Sequence, residues 1–203
     1  PKCCSCRCGL CPIPGSRYSY REECELKQID DGLNYDAENG RWVASYPLQH
    51  PRTVLKGTFG VAVQSLKSTE KLLLKNVEWG KKYNEQIQDM VNRNAARKLT
   101  PEIYNAFRGH INFLPHIAVK NPNSISTPVR ICFDASRVQG GGPSLNHVIA
   151  KGPDRFLNNL ASVIIGFRNG RVAAKADVKK MYNAIYLVEE DMYLQCFFWR
   201  NLD

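Results

Sequence analysis

The stretch RVAAKADVKKMYNAIYLV, Arg171 to Val188, sets an aspartate between a short apolar run and a turn of mixed charged and apolar residues. VAAKADV has the length and composition of a short buried strand, and KKMYNAI that of a helical turn. Asp177 is therefore expected at a strand end. An aspartate in that position either caps the turn that follows, its commonest use, or offers hard carboxylate oxygens to a cation from a rigid support. Just upstream, Phe156, Leu157, Leu160, Val163, Ile164 and Phe167 recur at helical spacing behind Asp154 as a cap, and the RNG run at 168–170 ends the pattern. Helix followed by strand predicts an α+β or α/β layer.

Farther toward the N-terminus, FLPHIAVK and PVRICFDA read as two strands joined by a loop rich in Asn, Pro and Ser, with Lys120 and Arg130 bracketing the loop. RKLTPEIYNAFRG gives a helix start at Thr100, with Pro101 in the first turn and a stop at Gly109. From Ser65 a helical stripe of Leu72, Leu73, Trp79, Tyr83, Ile87, Met90 and Val91 faces a core, with Ser68 or Thr69 as its cap. Glu22 to Ile29 forms a short helix stopped by Gly32, and RWVASYPL forms a strand after a turn at Asn39 and Gly40. The glycine run in QGGGPS lacks the GK[ST] of a phosphate-binding loop and reads as a flexible connection.

With 203 residues, 43% of them hydrophobic, the chain can bury one substantial core plus a small appendage. The net charge is +9, and residues 61–130 carry 11 basic against 5 acidic side chains. That excess suits a polyanionic partner, although an ordinary basic surface would give the same count. No apolar run reaches the roughly 18 residues of a membrane span, and no charged, apolar, small-residue series in the first residues reads as a signal peptide. A soluble, cytoplasmic or nuclear protein with no membrane partner is expected. The start at Pro1 and the end at CFFWRNLD suggest cuts through a larger polypeptide.

Six of the eight cysteines fall within the first 24 residues. Cys6, Cys8, Cys11 and Cys24 could hold Zn²⁺, because thiolates suit a soft tetrahedral site. Their spacing is not a regular CxxC…CxxC pair, and a disulfide-prone or irregular segment is the other reading. Cys132 and Cys196, alone in apolar surroundings, read as small buried hydrophobes. The four histidines have no i, i+4 partner, so a metalloprotease motif lacks support.

Taken in order, CRCGLCPIPGS, LNYDAENGRW, QIQDMVNRNAARKLT, STPVRICFDAS, GGGPSLN, AKGPDRFLNNL and AKADVKKMYNAI resemble the reverse transcriptase of BEL/Pao-type LTR retroelements across nearly the whole chain. The resemblance implies a stretch of polyprotein from the protease–polymerase junction. Residues 1–60 would be a Cys-rich connector, and 61–203 the N-terminal part of the reverse transcriptase. The implied fold is an incomplete right-hand polymerase of the α+β class, fingers and first palm elements, with an irregular Cys-rich segment in front.

By the same resemblance, Asp177 aligns with the palm aspartate that binds both catalytic Mg²⁺ ions, and the carbonyl of Val178 with a further metal ligand. Tyr182 aligns with the aromatic that blocks the ribose 2′-hydroxyl of a wrong nucleotide. Arg130, and less securely Lys120, align with residues that grip the incoming triphosphate; an arginine's planar fork suits phosphate oxygens. Asp134 is expected to pair with Arg130 or a neighbouring backbone group. His116, in LPHIAVK, is also part of the match, without an assigned role.

Two cations about 4 Å apart can stabilise the attacking and leaving oxygens of nucleotidyl transfer together, which needs more carboxylates than one. The family supplies them from a Tyr-x-Asp-Asp hairpin, a form absent from these 203 residues. The expected function is thus a fragment of an RNA-directed DNA polymerase, inactive alone. Template-primer, deoxynucleoside triphosphates and the rest of the polyprotein would be its partners in the complete enzyme. The alternatives are a non-catalytic, retroelement-derived module that binds nucleic acid or a protein, and an inert truncated copy whose unpaired apolar strands favour aggregation.

Overall fold

The computed structural model describes residues 11, 13, 15–121, 123, 124, 127–153, 160–178 and 180–202. The elements run α1 (Tyr20–Asp31), β1 (Leu33–Asp36), β2 (Arg41–Ala44), α2 (Phe59–Leu74), α3 (Val77–Asn92) and α4 (Pro101–Ala106). They continue with β3 (His116–Lys120), β4 (Val129–Phe133), α5 (Leu145–Val148), α6 (Leu160–Arg168), β5 (Ile185–Leu187) and α7 (Glu189–Met192). The protein is mixed α+β with two small sheets, one ordered β1-β2-β5 and the other β3-β4. It divides into two compact units, Pro1–Pro47 with Ala150–Tyr186, and Leu48–Ile149 with Leu187–Asp203. No helix among the described residues is long and apolar enough to cross a membrane.

In the first unit, α1 opens on a reciprocal cap: the Ser19 hydroxyl accepts from the Glu22 N–H, and the Glu22 carboxylate accepts from the Ser19 N–H at 2.7 Å. β1 and β2 pair antiparallel with Tyr35 opposite Trp42. Their turn is the expected one, because the Asp36 carboxylate accepts from both the backbone and the side-chain amide of Asn39. Gly40 closes it at φ +61, where a Cβ would be strained.

The second unit is built on the β3–β4 hairpin, in register from His116 opposite Phe133 to Lys120 opposite Val129. α2 packs on β3 and α3 on β4. Ala62, Leu66, Thr69, Glu70 and Leu73 form the buried side of α2, and Gly80, Tyr83 and Ile87 that of α3. Leu73, Tyr83, Ile87 and Val129 make the core, with Trp79, Ile131 and Trp199 against it. Each such side chain contributes about 1.5–3 kcal/mol by leaving water. Gly80 lets these layers approach: a Cβ there would stand 3.0 Å from Leu202 Cδ1 and 3.4 Å from the Leu73 carbonyl oxygen.

Several expectations are corrected. The single helical stripe from Ser65 is two helices, because the Asn76 side chain accepts from the Trp79 N–H and starts α3 afresh. Ser68 and Thr69 lie inside α2 and cap nothing; Thr69 instead donates to the His116 carbonyl at 3.0 Å. VAAKADV forms no strand: residues 173–178 are irregular and exposed. Three of the seven are alanine, which buries little and has low strand preference, and the described edge is filled by β5 instead.

The C-terminal LQCFFW run enters from a 3₁₀ turn at Tyr193–Gln195 and forms no strand. Cys196 forms a single bridge to Phe113. Cys132 is exposed and Cys196 half-buried, so neither is a fully buried hydrophobe. α4 keeps its expected start, with Thr100 accepting from Ile103, but ends at Ala106. The Asp154, Phe156 and Leu157 portion of the next predicted helix lies outside the described residues. α6, which follows, is exposed along its apolar side at Leu160, Val163, Ile164 and Phe167.

Candidate functional site

Asp177, Val178 and Tyr182 lie within six residues of one another in the first unit. Asp177 is exposed on the irregular segment. Val178 is 63% exposed and Tyr182, in a 3₁₀ turn at Met181–Asn183, is 88% exposed. The turn begins at Lys180 with φ +56, a left-handed conformation uncommon for a lysine. Asp177 is therefore neither at a strand end nor buried. No group of three or more His, Cys, Asp or Glu that could hold a metal ion occurs among the described residues. One carboxylate supplies only part of the oxygen set of a two-metal site, which needs several hard oxygens on a rigid frame.

Arg130 and Lys120 lie on neighbouring strands of the second unit. Arg130 stands opposite Val119 and Lys120 opposite Val129. Because side chains alternate along a strand, this register sends the two cations to opposite faces of the hairpin. Arg130 shares the exposed face with Ile117, Val119 and Cys132. Lys120 lies on the face turned to α2 and α3, with its Nζ 5.2 Å from the centre of the Trp79 ring, where an ammonium is attracted by the π-face. Asp134, just past β4, accepts from the Ser136 N–H at 3.1 Å and pairs with Arg137 at 3.3 Å. The expected neighbouring-backbone bond is present, while the cation partner is Arg137 rather than Arg130.

The polar centre of the second unit went unassigned in the sequence. His116, 2% exposed, has Nε2 2.7 Å from the Phe198 carbonyl and Nδ1 2.7 Å from the Tyr83 hydroxyl. A carbonyl can only accept, so the ring proton sits on Nε2, and Tyr83 donates to Nδ1. Burial holds the imidazole below its ordinary range, against smaller opposing effects of the Phe198 carbonyl and Glu70. Burial also raises the Tyr83 phenol above its usual range, with a smaller contribution from Cys132. The ring thus stays neutral and structural at neutral pH. Its backbone carbonyl accepts from Ser65 and Thr69 of α2 at 2.9 and 3.0 Å, so one residue joins both helices to the hairpin and the C-terminal segment.

Two further groups are held by charge. Asp191, fully buried, accepts from Arg52 Nη2 at 2.7 Å and Nε at 3.1 Å. Glu70, also buried, takes Arg200 through both oxygens at 2.8 Å. Burial lifts the Cys196 thiol to about 11, which makes it a poor nucleophile at neutral pH. Of the cysteines proposed for zinc, Cys6 and Cys8 lie outside the described residues; Cys11 is half-buried and Cys24 exposed. A scan against models of protein families and searches of curated proteins and of solved structures find no match.

Proposed function

We propose that the chain is the connector and fingers-to-palm portion of an RNA-directed DNA polymerase from a BEL/Pao-type retroelement, without polymerase activity of its own. The observation that carries this is the ordered run of seven motifs along nearly the whole sequence. An antiparallel hairpin that pairs VRICF, from one of these motifs, with HIAVK, and that carries Arg130 on its exposed face, is compatible with a triphosphate-gripping role. In the complete enzyme Asp177 and the Val178 carbonyl would be metal ligands and Tyr182 the nucleotide gate. Arg130 would grip the triphosphate, with Lys120 as a weaker second. The opposite facing of Lys120 and Arg130 favours Arg130 as the one that meets the nucleotide.

A second reading, a non-catalytic module that binds nucleic acid, is favoured by the basic excess of residues 61–130. Nucleotide binding separates the two. In a longer chain that carries Tyr-x-Asp-Asp, Arg130→Ala should weaken deoxynucleoside triphosphate binding by roughly tenfold or more, the scale of one charge-assisted hydrogen bond. Unchanged triphosphate affinity would remove the assigned role and leave the binding module.

A further inference from the structure

The exposed side of α2, continued onto its C-cap Lys75, repeats one residue type at a fixed interval. Lys67, Lys71 and Lys75 are four residues apart, which places them on one side of the helix with about 6 Å between successive positions. All three are exposed. Among the described residues none of them takes part in an ion pair. They line a shallow groove with Leu74, Glu70 and Arg200. Glu70, the one carboxylate of that lining, is buried with both oxygens held by Arg200. Among the described residues the lysines are left without a counter-charge.

The helix's own stability does not account for the row. Like charges four residues apart repel along a helix. Lys71 and Lys75 lie near enough to the C-terminal end to be favoured by the helix dipole, but that effect fades within the last turn and does not reach Lys67. A partner with closely and regularly spaced negative charge would offset the repulsion. A nucleic-acid strand presents one phosphate per about 3.4 Å of duplex axis, so each lysine step covers roughly two phosphates. The same third of the chain holds most of the basic excess.

We propose that the Lys67, Lys71 and Lys75 face of α2 binds the phosphate backbone of a nucleic-acid duplex. It rests on the polymerase reading only for the choice of nucleic acid as the polyanion. The test is fluorescence anisotropy of a labelled RNA·DNA duplex titrated with the 203-residue chain over a range of salt, without metal or nucleotide. It therefore passes or fails independently of Arg130 and Asp177. The K67Q/K71Q/K75Q triple variant should bind at least about tenfold more weakly, and the slope of log affinity against log salt should flatten by about 2.7, or 0.9 for each phosphate no longer neutralised.

A control triple at other exposed lysines, K27Q/K56Q/K98Q, carries the same net charge and should keep both the affinity and the slope; circular dichroism checks that each variant is folded. Equal weakening by both triples would overturn the site, because net charge alone would then explain binding. So would no duplex binding at low salt, or lysine-dependent capture of polyglutamate in preference to the duplex, which would make the partner an acidic polypeptide.

Discussion

His116 carries a pH dependence that the rest of the second unit must share. In the folded protein its imidazole is held below its usual range by burial, whereas in the unfolded chain it takes up a proton below about pH 6.5. Under acid the unfolded state then binds more protons than the folded one, so stability falls as pH drops through the unfolded value. Protonation would also turn Nδ1 into a donor and force the Tyr83 hydroxyl to reverse. Urea unfolding at about pH 7.5 and 5.5 should show a larger loss for the native sequence than for His116→Gln, whose side chain does not titrate there. His110 is shifted in the same direction by burial, but it is present in both proteins and cancels in the comparison. A variant with the same pH slope would show that His116 is not the group responsible.

Asp191 makes the second single-residue prediction. Removing Arg52 withdraws the guanidinium from a carboxylate that has no solvent exposure. Arg52→Ala should destabilise the protein by about 1–3 kcal/mol, the range for taking a donor from a buried acceptor, as read from the urea midpoint. The exposed pair Lys82–Glu85 should lose less than about 1 kcal/mol on Lys82→Ala.

Among the elements, the α2–α3 break is the most informative. An unbroken stripe from Leu72 to Val91 is consistent with one long helix, and period alone cannot find the point where a side chain competes with the backbone. Asn76 does so by accepting from Trp79. The signal was available, since asparagine is a preferred cap. Asn76→Ala should cost about 1 kcal/mol, within the usual range for removing a cap, as measured by thermal or urea unfolding.

The hairpin was legible for the opposite reason: two runs of strand-forming residues flank a loop of Asn, Pro and Ser, and register then follows from which face is buried. The α4 start was legible because Thr100 is a local signal, whereas α1 begins at Tyr20 behind the Ser19 cap, two residues before the expected Glu22. VAAKADV failed because an apolar run becomes a strand only with an edge to pair with, and pairing is not written in the run itself. The same limit applies to His116, whose partners Tyr83 and Phe198 are 33 and 82 positions away.

Across the molecule, both units present large apolar side chains to solvent, among them Leu74 and Val77 in the second and the apolar side of α6 in the first. Leu160, Val163, Ile164 and Phe167 of α6, with Val172 and Tyr182, are all exposed. A chain cut from a larger polymerase palm would expose such surface, and so would a truncated copy. The proposed polymerase role requires Asp177 to be catalytic in a chain that also carries the Tyr-x-Asp-Asp carboxylates.

Primer extension on an RNA template with Mg²⁺ and all four deoxynucleotides decides this, run on the 203-residue chain, on a longer chain that continues through Tyr-x-Asp-Asp, and on the longer chain with Asp177→Asn. The account predicts no incorporation by the first, incorporation by the second, and a loss of roughly two orders of magnitude or more in the third, the scale seen when one charge-stabilising group is removed from a transition state. Robust incorporation by the 203-residue chain, or full activity of Asp177→Asn, would contradict it.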